Sequence, residues 1–173
     1  MVSCHYVGEV VRIIACSLFD ADLLVASSGK EILNTPYLLS GLHISLLQED
    51  DTPDLSRIAS WLASSLQITN SYLQDRAALK TIANLVCTRS ARLVAATYLG
   101  IIKHIDPNLQ HQHNIAIDGS LYEKMPGYAT QMQIALDQAL DGNQATATTT
   151  LTKDGSGIGA AIATAIAVNM NAN

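Results

Sequence analysis

Aromatic side chains are scarce in this chain: one Phe, one Trp and six Tyr among 173 residues. The core must therefore be built from Leu, Ile, Val and Ala. Charge is sparse too, at 14% of residues, and the formal net charge is −5. That balance lacks the basic footprint of a nucleic-acid binder, although a local cationic pocket can still hold a small anion. The three cysteines, Cys4, Cys16 and Cys87, are odd in number and far apart, and none belongs to a CxxC pair. They read as reduced structural thiols rather than a disulfide framework or metal site. Long hydrophobic runs are missing as well. The longest, Ile158 to Val168, is too short to cross a bilayer, and the N-terminus lacks the basic flank of a signal peptide. The expectation is a soluble, cytoplasmic, one-domain protein with no membrane or nucleic-acid partner.

What is present is helical text. Val7, Val10, Val11, Ile14 and Leu18 recur at helical spacing and predict an opening helix to about Leu24, without a strong start signal beyond Ser3. A short helix follows around Lys30 to Leu33, then a loop marked by Asn34, Pro36 and Gly41. Asp51-Thr52-Pro53 reads as a helix start, with Leu55, Ile58, Ala59, Leu62 and Leu66 as the buried face. A long helix runs from Leu73 to Ile105, with Pro107 as its stop. Its small residues, Ser90, Ala91, Ala95, Ala96 and Gly100, permit close approach of a neighbour. His104, His111 and His113 crowd the next segment. Without acidic or thiol partners at ligand spacing they read as a solvated loop, not a metal site.

The texture then changes. "HNIAIDG" predicts a strand, "GYATQMQIALDQALDG" a helix facing inward through Met132, Ala135, Leu136 and Leu140, and "QATATTTLT" a second strand. Ile158 to Asn169 is the last helix. The organisation is helical over 1–110 and β-α-β-α over 111–170, with no internal repeat. Each strand ends in the same three residues, Asp118-Gly119-Ser120 and Asp154-Gly155-Ser156. Ligands of open α/β sheets gather at the carboxyl ends of strands. Parallel neighbouring strands would set the two turns side by side in one cleft. A turn of this kind offers backbone N–H groups and a hydroxyl to a phosphate or ribose; its structural alternative is a plain tight turn. Neither turn is a GxGxxG or P-loop signature.

"IAIDGSLYEKMPGY" followed by "DGSGIGAAIATAIA" resembles the carboxy-terminal part of the eukaryotic-type hexokinases. "HYVGEVVRII", "EILNTPYLLS" and "LVCTRSARLVAATYLGII" resemble further segments of that family, in family order. The resemblance implies an α/β fold, the ribonuclease H-like, actin-type large domain, here mostly helical with few strands. It also implies a bound nucleotide, ATP or ADP, with Mg2+ carried on it. On that resemblance Ser120, Leu121, Tyr122 and Lys124 meet phosphate and ribose, after the turn held by Asp118 and Gly119. Thr35 to Leu39 flank the adenosine, and Gly155, Ser156, Gly157 and Gly159 form the adenine-side turn. Three departures stand out. Ile158 and His5 replace basic residues common in the family, and Glu123 takes the usual lysine's place, leaving Lys124 one position later.

The family's first phosphate loop, its sugar-binding segments and its catalytic Asp have no counterpart in these residues; by resemblance they lie upstream. The resemblance thus implies an ATP-dependent hexose kinase whose hexose is held only in the intact enzyme, with no catalytic residue and no protein-bound metal in this stretch. The rival expectation is a non-catalytic nucleotide-binding or interaction module. Either a second copy or an amino-terminal segment would cover apolar surface left exposed.

Overall fold

The computed structural model describes residues 2–24 and 30–171. Eight helices and two strands follow one another: α1 (Cys4–Asp20), α2 (Lys30–Leu33), α3 (Gly41–Glu49), α4 (Ser56–Leu66), α5 (Leu73–Ile105), β1 (Gln112–Ile117), α6 (Ser120–Lys124), α7 (Tyr128–Leu140), β2 (Thr146–Leu151) and α8 (Gly155–Asn171). Helix α5 is the spine. Val7, Val11 and Ala15 of α1 are fully buried in the core that α5 shares, as are Ile44 and Leu47 of α3. At the other end, Ser90, Ala91 and Ala95 are buried along α5, and the Ser90 hydroxyl lies 2.9 Å from the Tyr128 hydroxyl of α7. Small side chains on the spine thus let a neighbour approach, as expected; Ala96 and Gly100 face outward. By length and composition α5 is apolar enough to cross a membrane, but here Leu79, Ile82, Ala83, Val86 and Cys87 are core residues.

Within the helical residues 1–110, three boundaries differ from the sequence expectation, each for a local reason. Helix α1 ends at Asp20 rather than near Leu24, because Asp22 adopts a left-handed backbone (φ +56°) and the Leu23 N–H turns back to the Leu18 carbonyl. Its start does carry a cap, since Ser3 accepts a 3.4 Å hydrogen bond from the Tyr6 N–H. Gly41 does not mark a loop. It opens α3, with His43 Nδ1 accepting from the Ser40 N–H at 3.1 Å. Helix α4 starts at Ser56, three residues after Pro53. The buried Asp50 carboxylate accepts from the Thr52 N–H and hydroxyl and, across the turn, from the Ile58 N–H at 2.8 Å. One side chain caps the helix from outside it, and residues 52–55 are spent on the turn.

The strands pair in parallel from Gln112↔Thr146 to Ile117↔Leu151. Ile117 and Ala147 are buried, while Gln112, Asn114, Thr146, Thr148 and Thr150 form an exposed polar face. The outer edge of β2 is closed by Gln133 of α7. Its amide donates to the Ala147 carbonyl at 2.7 Å and accepts from the Thr149 N–H at 2.9 Å. An unpaired strand edge invites association, and here one side chain occupies it. Helix α8 is the least covered element: Ile158, Ile162 and Ile166 are 56%, 56% and 55% exposed at a spacing of four.

The histidine-rich segment is tied rather than loose. Asp106 is buried at the end of α5, with the His111 Nδ1 and His113 Nε2 atoms each 3.2 Å from one of its oxygens. Among the described residues no group of three His, Cys, Asp or Glu side chains is arranged to hold a metal ion. Burial pushes the Asp106 carboxyl up. Hydrogen bonds from the His111 N–H, the His113 and His111 rings and the Gln110 N–H outweigh it and bring the pKa down to about 2. A depressed carboxylate contributes stability that is complete above its ordinary value, about 3.9, and is lost as the pH falls toward 2. Asp106→Asn should therefore be less stable than the wild type at pH 6, with the gap closing in acid. Urea midpoints at pH 6 and pH 3 check this; a gap that stays constant would contradict it.

Candidate functional site

The two repeated turns meet. At the exit of β1, the Ile117 carbonyl still accepts from the Thr152 N–H at 2.8 Å, so the strands remain paired to their ends. Immediately beyond, a Cβ built on Gly155 would lie 3.7 Å from Asp118 Oδ2. Two further contacts tie α6 to the second strand and its exit. The Tyr122 hydroxyl donates to Thr149 Oγ1 at 2.9 Å, and Lys153 Nζ sits 2.9 Å from Glu123 Oε1. The Lys153 hydrogen bond and charge hold the Glu123 carboxyl below the usual range. Glu123, which stands where the resembling family has lysine, is thus satisfied from the second turn.

The glycines of the second turn are not where the sequence placed them. Helix α8 begins at Gly155, so Gly155, Gly157 and Gly159 belong to its first turns, and the bend itself is made by Asp154 in a left-handed conformation (φ +55°). A Cβ at Gly155 would meet only ordinary contacts, and none of the described residues lies within 4 Å of one at Gly119, Gly157 or Gly159. Internal packing therefore does not require these glycines. What they leave is open space over the helix start, where N–H groups lack intrahelical partners. The side chain of Ser156 lies outside the described residues.

Helix α6 faces two ways. Leu121 is buried and Tyr122 is engaged by Thr149, so both fasten the helix. Ser120 and Lys124 instead line a cleft of about 420 Å³ whose opposite wall is Cys4, Ser40, Gly41, Leu42, Ser45 and Glu49. Ser120 Oγ lies 3.9 Å from Cys4 Sγ across it. The volume falls within the range usual for small-molecule sites, and a hydroxyl and an ammonium converge in it. Ser40, Ser45 and Glu49 escaped sequence reasoning because Gly41 was read as marking a loop and residues 42–47 were assigned to no element. Ile44 and Leu47, three apart and both buried, were the available signal.

Thr35 does not line this cleft. It lies in the 34–40 connection, its N–H donating to the Ile32 carbonyl and its carbonyl accepting from the Leu38 N–H. That connection is pinned to α1 by Arg12, which forks onto Glu9 at 2.8 and 2.6 Å and donates to the Leu33 carbonyl at 2.8 Å. Glu9 in turn accepts from the Tyr37 N–H at 2.7 Å.

A family model described as hexokinase matches residues 1–166. Hexokinase-7 of Oryza sativa subsp. japonica is 34% identical over 149 residues, covering 84% of this chain and 32% of that protein. Hexokinase-1 of Spinacia oleracea is 33% identical over 153 residues, 86% of this chain and 30% of its own. Among solved structures, the hexokinase of Schistosoma mansoni complexed with glucose superposes with a TM-score of 0.75 at 23% identity, covering 87% of this chain and 33% of that one. The mostly helical, few-stranded fold expected from the sequence is the fold of the matching part of such enzymes. The chain spans about a third of the length of the curated relatives it matches.

Proposed function

Because the chain belongs to the hexokinase family, we propose that it is the carboxy-terminal, nucleotide-holding part of an ATP-dependent hexose kinase. The observation that carries this reading is the convergence of the two Asp-Gly-Ser turns at the carboxyl ends of adjacent parallel strands. In the intact enzyme ATP would supply the phosphoryl group for a hexose 6-hydroxyl, and Mg2+ would arrive on its phosphates. Ser120 and Lys124 suit phosphate oxygens by their chemistry, and the open backbone around Gly155–Gly159 suits the remainder of the nucleotide. Transfer itself needs an in-line hydroxyl and a positioned base, and these residues contain no counterpart of the family's base segment. All three cysteines are free, as suits a reducing cytoplasm.

Calorimetric titration with ATP tests the reading. The wild-type chain should bind ATP, and Ser120→Ala should weaken binding roughly 10-fold, the effect of losing a hydrogen bond to a charged group. Glucose with Mg-ATP should yield no ADP from this chain alone. No ATP binding, or indifference to Ser120→Ala, would overturn the proposal.

The exposed Ile158, Ile162 and Ile166 ladder favours one additional feature, a partner surface on α8. A second copy or another part of the enzyme covering it would appear as an oligomer, or as aggregation relieved by Ile162→Lys. A stable monomer would favour the non-catalytic module instead.

A further inference from the structure

Helix α8 has no cover. Every residue from Gly157 to Ala167 is exposed, and the sequence from Gly155 to Asn171 carries no charged side chain. A helix of 17 residues is marginal in water by itself, because helices in proteins owe most of their stability to a packed apolar face. One that is apolar on all sides is normally buried. Something must therefore lie against α8, and the helix surface specifies its shape.

Ile158, Ile162 and Ile166, each more than half exposed, form one ridge at a spacing of four. The neighbouring rows are small on both sides: Ala161 and Ala165 on one, Ala163 and Ala167 on the other, all exposed. Ridges of this spacing seat in the grooves between the same rows of a second helix, crossing it at about −50°. A fitting partner offers an apolar ridge and shallow flanks at the same pitch. Helix α8 is itself such a surface. Turned about a two-fold axis, one α8 lays its isoleucines along the alanines of the other and receives that helix's isoleucines along its own, the self-complementary contact of a C2 pair. No charge on either helix opposes the approach.

The area is sufficient, though only just. The three isoleucines with their alanine flanks offer roughly 500 Å² per copy, about 1,000 Å² for the pair, which is where specific interfaces begin. Such a contact is reversible rather than obligate. We propose that α8 is a homodimerisation helix, pairing with the α8 of a second copy of this chain through the Ile158–Ile162–Ile166 ridge and its alanine flanks. This names the occupant of the partner surface noted above and does not depend on the nucleotide reading.

Sedimentation velocity over about 1 to 100 μM tests it, the range in which contacts of this size exchange. The wild type should pass from monomer to dimer. Ile162→Lys should raise the dissociation constant at least about 100-fold, by placing an unpaired charge in the apolar seam. Ala163→Leu should raise it about 10-fold, because the longer side chain fills the flank that receives the partner's ridge. That variant separates shaped packing from stickiness, since it adds apolar surface and keeps a good helix former. Circular dichroism of both variants should match the wild-type spectrum; should one fail to fold, the other still decides. A monomer at every concentration would overturn the proposal and leave the face to a segment found in the longer relatives. So would a dimer that either variant leaves unchanged, or that Ala163→Leu tightens. A monomer that floats with phosphatidylcholine vesicles would assign the face to lipid instead. None of these results bears on the ATP titration, so the nucleotide reading stands or falls separately.

Discussion

Replacing Gly8 by alanine should destabilise the protein by about 3 kcal/mol, the upper end of what overpacking usually costs. In the middle of a helix the same change normally gains up to about 1 kcal/mol, because alanine loses less backbone entropy. Sterics decide the sign here. A Cβ at Gly8 would lie 1.8 Å from the Leu39 carbonyl oxygen and 2.8 Å from its carbon. Both obstacles are backbone, so no rotamer change relieves them. Reaching ordinary contact would require the Leu39 strand of chain to retreat by about 1.5 Å. It has little freedom to do so: the Leu39 side chain is 2% exposed, and the connection before it is held at Leu33 and Tyr37. The loss is a large share of the 5–15 kcal/mol that stabilises most domains. Thermal and urea unfolding of Gly8→Ala measure it. A variant as stable as the wild type would show that α1 and the 34–40 connection are not so closely apposed.

Gly8 also shows where sequence reasoning stops. A glycine inside an amphipathic helix pattern signals close approach but does not say to what. The partner, Leu39, is 31 residues away in a stretch without periodicity. Helix α5 was legible from end to end because its spacing is sustained and Pro107 stops it. The strands were legible, the first from its alternation and Asp-Gly end and the second from its β-branched run; their parallel pairing entered the sequence reading as a condition, and the structure meets it. The side-by-side turns followed from that pairing, and Asp118 against Gly155 confirms the arrangement. Helix α3 was missed because Gly41 and the preceding Pro36 look like punctuation, whereas Ser40 and His43 turn that glycine into a helix start. Helix α4 was misplaced because its cap, Asp50, lies outside the local start signal. Capping by a carboxylate eight positions before the N–H that donates to it, that of Ile58, leaves no local trace.

At the candidate site the same division applies. Ser120 and Lys124 were found from their own segment, and both line the cleft. Its other wall comes from α1 and α3, whose contribution depends on tertiary packing. Gly155, Gly157 and Gly159 are not demanded by crowding within the described residues, so they do not serve packing.

The Arg12–Glu9 pair should prove the second sensitive point, because it fastens α2 and the 34–40 connection to α1. Arg12→Ala should cost about 3 kcal/mol, because breaking a largely buried pair strands its partner's charge and here also frees the Leu33 carbonyl. Lysine should not rescue it: one ammonium cannot reproduce a fork that binds both Glu9 oxygens and reaches Leu33 as well. The hydrogen bond from Arg12 holds the Glu9 carboxyl below its usual value against the opposing effect of burial, with the Tyr37 N–H assisting. A depressed carboxyl contributes fully above its ordinary value of about 4.3 and fades only as the pH falls below that. The cost of Arg12→Ala should consequently be constant from pH 6 to 8 and shrink in acid. Because Glu9 also fixes the Tyr37 N–H, and the Tyr37 ring stacks on His5 at 4.4 Å, the variant should release that ring from His5, visible as a change in the His5 ring resonances at temperatures where the protein is still folded. Arg12→Ala with wild-type stability and an undisturbed His5 environment would mean that the pair decorates the loop rather than holding it.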